Sequence, residues 1–357
     1  MNNKLYSRLK HFVFLLLIAH CSLLIVGCSG KLDPDPLPLN VKQNLALLQT
    51  EPQFVMYFNF KKMRDTGFWK QFISDSLFNA ERNFGSFLGI LNQAAGVSIS
   101  NGIDELYFSN SWIGDNALVA KGVFDRKKVD DYVNSDTLFT KIGYPNGITV
   151  YKHIESNFNF YFKDDFTLCG SNYLKQIENT FTVTDTSQTG LLANTTTLKE
   201  IERIKFKDNI WLISTQKLFI RGIFENFADV GNQRNNKIPG AEKDSLTMDT
   251  TSSDSGSELY EIYKKIEALS ISLKMTDELE IVMQNECQDE VSSKELKNRM
   301  EAVMALAKLS STFSKKKPGE VIKLLDKVEI DVFGKTTVLS IKLNDSEVTE
   351  IRKQKMF

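Results

Sequence analysis

Ala268-Leu269-Ser270-Ile271-Ser272-Leu273-Lys274, followed at Leu279-Glu280-Ile281-Val282-Met283-Gln284-Asn285 by a second run of the same kind, decides the fold class. Leucine, isoleucine and methionine recur at every second position with polar residues mostly between them. A period of two sends the apolar set to one face of a strand and the polar set to the other. The runs are separated by only a few residues, so they read as adjacent antiparallel strands of a sheet with one wet face.

Outward from this pair, the C-terminal side begins with Ser292 and Glu295, a capping-box pattern opening a helix with Leu296, Met300, Val303 and Ala307 on one face. A hairpin follows, Val328 to Val332 and Thr337 to Leu343 about Gly334, and the chain closes on a helix after Asn344. On the N-terminal side lie a strand at Asn209 to Ser214 and a helix at Gln216 to Phe227. The order is strand, helix, two strands, helix, hairpin, helix.

The same order, with weaker residue identity, is expected earlier in the chain. After an Asn40 cap and a short helix from Val41, Phe54-Val55-Met56-Tyr57-Phe58-Asn59-Phe60 reads as a buried strand. From Met63 to Ala95, Trp69, Phe72, Ile73, Leu77, Phe84, Phe87, Leu88 and Leu91 fall at helical spacing, with a break expected near Gly85 or Gly89. This phenylalanine-rich stripe is read as a core helix, with a wall for an apolar ligand as the competing reading. Strands at Glu105 to Ser109 and Ala117 to Phe124 come next, then a helix capped by Asp125. The turn Tyr144-Pro145-Asn146-Gly147 leads into short strands at Ile148 to Ile154, Phe158 to Phe162 and Phe166 to Gly170, and Ser171 is expected to cap a helix bearing Leu174, Ile177 and Phe181.

The fold class is therefore α+β, expected as two similar units of antiparallel sheet packed with helices, at residues 41–193 and 194–357. Within the second, 231–256 is nearly free of large apolar residues and reads as a disordered insertion. The order, together with Val-Ala-Lys-Gly-Val-Phe-Asp-Arg-Lys-Lys-Val at 119–129 and Phe-Thr-Leu-Cys-Gly-Ser at 166–171, resembles a class of bacterial envelope proteins with a duplicated α+β domain. That resemblance implies a fold and no activity.

The N-terminus gives an address. Lys4, Arg8 and Lys10 precede an apolar run from Phe12 to Val26, and Leu23-Leu24-Ile25-Val26-Gly27-Cys28 resembles a bacterial lipobox. Residues 1–27 are expected to be a signal peptide, and Cys28 the acylated first residue of the mature chain. The run is shorter than the roughly 20 residues that span a bilayer, and two or more acyl chains suffice to hold a protein on a membrane. Residues 28–40 carry three of the seven prolines and read as an extended tether. Ser29, rather than aspartate, follows the cysteine, which points to the outer membrane where the host has one.

Composition narrows function mainly by exclusion. At 42% hydrophobic and 25% charged the chain is an ordinary folded protein. Cleavage after Gly27 takes away three positive charges and no negative ones from a chain of formal charge -1, which leaves a mild acidic balance. That argues against nucleic-acid binding, since phosphates require clustered Lys and Arg. The sequence contains no GxGxxG, GxxxxGK[ST], HExxH or GxSxG. His153 is the only histidine after the signal peptide, too few for a multi-histidine zinc site, so no metal or cofactor is expected. Asp130-Asp131 and Asp164-Asp165 are neighbours in sequence and point apart, so no catalytic residue is assigned to them. Cys169 and Cys287 are read as two buried thiols, with one disulfide between the halves as the alternative.

Three readings of function follow. The favoured one is a non-enzymatic envelope lipoprotein held to the membrane through acyl groups on Cys28, with a binding or scaffolding surface for a protein, a glycan or a lipid. The alternatives are a carboxylate-dependent hydrolase of envelope polymers and a carrier of an apolar ligand built on the Phe68 to Leu91 stretch.

Overall fold

The computed structural model describes residues 36–73, 86–204, 207–232, 263–312 and 324–353. The signal peptide at 1–27, Cys28 and the tether up to residue 35 lie outside them, as does the expected insertion from residue 233 onward. The described residues form one compact unit.

The strands are β1 Phe54–Asn59, β2 Ile103–Asn110, β3 Asn116–Gly122, β4 Phe139–Gly143, β5 Thr149–His153, β6 Phe158–Asp164, β7 Thr167–Ser171, β8 Ile210–Ser214, β9 Ile266–Met275, β10 Leu279–Cys287, β11 Glu329–Phe333 and β12 Thr336–Leu343. They build one antiparallel sheet in the order β11-β12-β10-β9-β8-β1-β2-β3-β7-β6-β5-β4. The α-helices are α1 Leu39–Leu45, α2 Phe60–Arg64, α3 Ser86–Ala95, α4 Arg126–Ser135, α5 Leu174–Thr180, α6 Thr195–Arg203, α7 Lys217–Asn232, α8 Glu290–Thr312 and α9 Asp345–Lys353. A π-helical turn spans Trp69–Ile73 and a 3₁₀ turn Gly190–Ala193.

The α+β class with a large antiparallel sheet is as the alternation requires, but the expectation of two sheets is corrected. β1 and β8 pair antiparallel, Tyr57 opposite Trp211 and Met56 opposite Leu212, and join both halves into one sheet. The first half also departs from the expected order: β4 is an additional strand, pairing Phe139 with His153 and Ile142 with Val150, so four strands stand between α4 and α5. Nor does 193/194 mark a gap in packing. Leu191, Leu192, Ile201 and Ile204 share one core with Leu45, Tyr107, Trp211 and Ile213.

That core covers one face of the sheet from β8 to β4, under α1, α5 and α6. Every second residue contributes, Val55 and Tyr57, then Tyr107, then Ala117 and Val119, then Cys169, as a half-turn per residue dictates. The intervening residues form a second core on the opposite face. There Phe58, Leu106, Leu118, Ala120, Phe160 and Leu168 meet Phe68, Trp69, Phe72, Leu88 and Leu91. A third core, Ile220, Phe224, Ile266, Leu269, Cys287 and Leu296, lies where α7 and α8 contact β9 and β10.

Cap assignments shift by a few residues. Asp125 caps α4 as expected, its carboxylate accepting from Lys128 N at 3.0 Å. Asn40 lies inside α1, whose N-cap is Pro38. Ser171 stands two residues before the α5 N-cap, Tyr173; its hydroxyl accepts from Tyr173 N and donates to Asn116 O. α8 begins two residues before Ser292, because Asp289 Oδ1 accepts from Ser292 N at 2.7 Å. Glu295 instead pairs with Lys265 and Arg299. The reciprocal box appears at α9, where Asn344 Oδ1 accepts from Glu347 N and Glu347 Oε2 accepts from Asn344 N.

Candidate functional site

The second half of the sheet reverses the expected wet face. Ser270, Ser272 and Gln284 are buried, while Ile271, Leu273, Ile281 and Met283 are half-buried. Register supplies a reason for the serines. Ser272 stands opposite Trp211 and Val282, and Ser270 opposite Ile213, so the short hydroxyl side chains are shadowed by larger neighbours.

The apolar side has the opposite fate. Leu339, Met283, Ile271, Leu212, Met56 and Phe108 are cross-strand partners in one row across β12, β10, β9, β8, β1 and β2, and each is half-buried. Leu212, Ile271 and Met283 pack against the core of α7 and α8, whereas Met56 and Phe108 pack against the second core, which also takes in Ile210, Met275, Leu343 and Val348. The next row, Ile341, Ile281 and Leu273, is half-buried too. Both cores reach this band, and its residues stay half-buried. Five strand spacings make it about 24 Å long. Phe219 of α7 stands at its margin, with its ring 5.1 Å from that of Phe54, which lies 6.0 Å from Phe108. Scattered apolar exposure is ordinary, but a contiguous strip in register is the kind of surface that marks a binding site.

The described part of the phenylalanine-rich stretch is packed rather than open. Phe68, Trp69, Phe72, Leu88 and Leu91 are all buried in the core, the chain leaves helix between α2 and the π turn, and Gly89 lies inside α3, while Leu77, Phe84, Gly85 and the side chain of Phe87 lie outside the described residues. Among the described residues of the Phe68 to Leu91 stretch that face is packed.

A dense charge cluster lies between α6 and the β10–β12 pair. Glu286, with only 5% of its side chain exposed, accepts from Arg203 Nη1 at 2.6 Å, Lys335 Nζ at 2.9 Å and Thr336 Oγ1 at 2.5 Å. The same Arg203 nitrogen reaches Glu200 at 3.2 Å. Burial opposes ionisation of Glu286, yet the bonds from Thr336 and Lys335 and the Arg203 charge hold its carboxyl below the usual range. Burial pushes Glu200 the other way, up. Opposed shifts in neighbouring carboxylates resemble an acid–base pair, but here a guanidinium occupies the space between them. The arrangement is a clamp holding α6 to the second half of the sheet.

The remaining candidates separate. Asp130 binds Lys141 and Tyr151, Asp131 binds Lys127, Asp164 accepts from Thr167 and from Phe166 N, and Asp165 faces Arg126. His153 is half-buried, with its Nδ1 2.8 Å from Ser156 Oγ and its ring against Phe139. Cys169 and Cys287 are both free and buried. Six strand spacings part β7 from β10, about 29 Å, where a disulfide needs Cα atoms within about 7 Å, so the disulfide alternative is corrected. Burial pushes both thiols up to about 12. Among the described residues no three His, Cys, Asp or Glu side chains gather as a metal site, and no helix is long and apolar enough to cross a membrane.

The half-buried band was missed in the sequence because its residues alternate as an ordinary core-facing set does; alternation tells which side chains share a face, and nothing about whether a helix covers it. No protein family model and no curated protein matches the sequence. Among solved structures the chain is similar to crystal forms III, IV and I of TP0453, each at 10% identity. The TM-scores are 0.43, 0.41 and 0.41; the matches cover 87%, 87% and 91% of this chain and 98%, 96% and 99% of the other.

Proposed function

We propose that this chain is an envelope lipoprotein anchored through acyl groups on Cys28, and that its body is a non-enzymatic binder of an elongated apolar ligand. The observation that carries the binding reading is the row Leu339, Met283, Ile271, Leu212, Met56 and Phe108, half-buried and in register between two cores. A narrow strip about 24 Å long, two rows wide over β9, β10 and β12, fits an extended acyl chain better than a glycan, which would need converging polar groups. The anchor rests on the lipobox pattern. A duplicated body is part of the same reading, supported by the order β8-α7-β9-β10-α8-β11-β12-α9 against β1, two strands β2 and β3, and a helix α4 in the first half.

Native mass spectrometry of the chain, extracted gently from its own membranes, tests both parts. The expected spectrum carries the acyl mass on Cys28 and a further apolar species, and Ile271→Asn lowers occupancy by that species at least tenfold while leaving the acyl mass. An acylated chain with nothing bound, and unable to take up added fatty acid, would overturn the ligand reading. An uncut, unacylated chain would overturn the anchor.

A further inference from the structure

One end of the sheet carries exposed apolar side chains that the band does not use. Trp112 and Ile113 form the tip of the β2–β3 turn, 49% and 83% exposed. Neighbouring loops at the same strand ends add Tyr173, 50% exposed, and Leu218, 61% exposed. Hydrogen bonds fix these loops to the turn. Asn172 Nδ2 donates to Gly114 O at 3.0 Å and Asn172 Oδ1 accepts from Asn116 N at 2.7 Å, which seats Tyr173 on one side. Trp112 Nε1 is 3.5 Å from Gln216 Oε1, which sets Leu218 on the other. Register puts all of them at one end: Asn110 and Asn116 face each other across the turn, Ser171 ends β7 opposite Ala117, and Ser214 ends β8 next to the start of β1.

We infer that this end of the sheet dips into a lipid bilayer, with Trp112 and Ile113 as the inserting tip. The shape decides between occupants. A folded partner engages buried anchors in a pocket, whereas a convex tip with a tryptophan, a tyrosine and aliphatic side chains matches the interfacial zone of a membrane, where amphipathic rings settle. The chain leading to the anchor starts from the same place. Gln49 Nε2 donates to Asp115 O within the turn itself. From there α1 and its flanks return to Pro36 over at most roughly 30 Å of chain, and the eight residues from Pro36 back to Cys28 span up to about 26 Å. An acylated Cys28 and the tip can therefore reach one bilayer surface. This reach argument rests on the anchor reading; the exposure of the tip does not.

Trp69 and Trp211 are buried, so Trp112 is the tryptophan able to report contact with lipid. The test places the full chain on phosphatidylethanolamine–phosphatidylglycerol vesicles with brominated acyl chains, reads tryptophan quenching, and reads the Cys28 acyl mass separately. The expected result is quenching that disappears in Trp112→Phe and in Ile113→Asp, at positions whose exposure leaves the fold intact. An acylated chain without quenching overturns the tip and leaves the anchor. Quenching in a chain lacking the acyl mass supports the tip and removes the anchor. Quenching unaltered by Ile113→Asp overturns the tip.

Discussion

Replacing Arg203 by Met should unlock the clamp between α6 and the β10–β12 pair. Glu286 is almost wholly buried and would lose its 2.6 Å partner, while Glu200 would lose its 3.2 Å contact. Stripping the partner from a fully buried charge costs about 3–5 kcal/mol. Lys335 and Thr336 still serve Glu286, and Arg203 itself is about one-third exposed, so the expected loss is about 2 kcal/mol. In a body of this size that lowers Tm by about 3 °C. Urea unfolding of Arg203→Met, Glu286→Gln and the double variant measures the coupling, expected at about 1 kcal/mol or more. The pH dependence has a defined sign. The folded pKa of Glu286 is depressed, so its contribution is present above the unfolded carboxyl value of about 4.3 and is lost as pH falls through the folded value. Glu200, raised by burial, runs opposite: its contribution is present at low pH and is lost as pH rises through its folded value. The Arg203→Met deficit through Glu286 should thus shrink in acid. A single variant within about 0.5 kcal/mol of wild type at neutral pH would refute the reasoning, for it would make the cluster an ordinary solvated pair.

Two further outcomes are expected. At pH 8 a maleimide should leave Cys169 and Cys287 unmodified in the folded chain and modify both in urea, since burial keeps both thiols protonated; modification of either without denaturant would contradict its placement. Asp289→Ala and Asn344→Ala should each cost about 1 kcal/mol by urea midpoint, as lost helix caps do. An unchanged midpoint for Asp289→Ala would return the α8 cap to Ser292.

What could be read from the sequence was local. Alternation located β9 and β10 within two residues, and Gly147 and Gly334 take positive φ at the turns their neighbours announced. β4 escaped because Phe-Thr-Lys-Ile-Gly is short and half polar, as an outermost strand can be. α6 escaped behind three threonines of weak helix propensity, although Asn194, which accepts from Thr197 N, and the Leu198–Ile201 spacing carried the signal. The β1–β8 pairing had no signature at all, because nothing in either strand says which distant strand it will meet. The candidate band was hidden for a related reason: burial depends on how α7 and α8 pack on β9 and β10, and that is a tertiary outcome.

The β1–β8 pairing has a consequence for the chain as a material. Among the described residues the sheet of twelve strands ends on β4 and β11. Both carry charge, Lys141 on one and Glu329 with Asp331 on the other, which discourages another strand from docking. β1 and β8 have no such protection. Val55-Met56-Tyr57-Phe58 and Ile210-Trp211-Leu212-Ile213 are uncharged and rich in β-formers, the composition that stacks into fibrils when left unpaired. Each half thus acts as the other's cover against self-association. A chain cut near residue 193 should give two fragments that precipitate when made apart and stay in solution when refolded together.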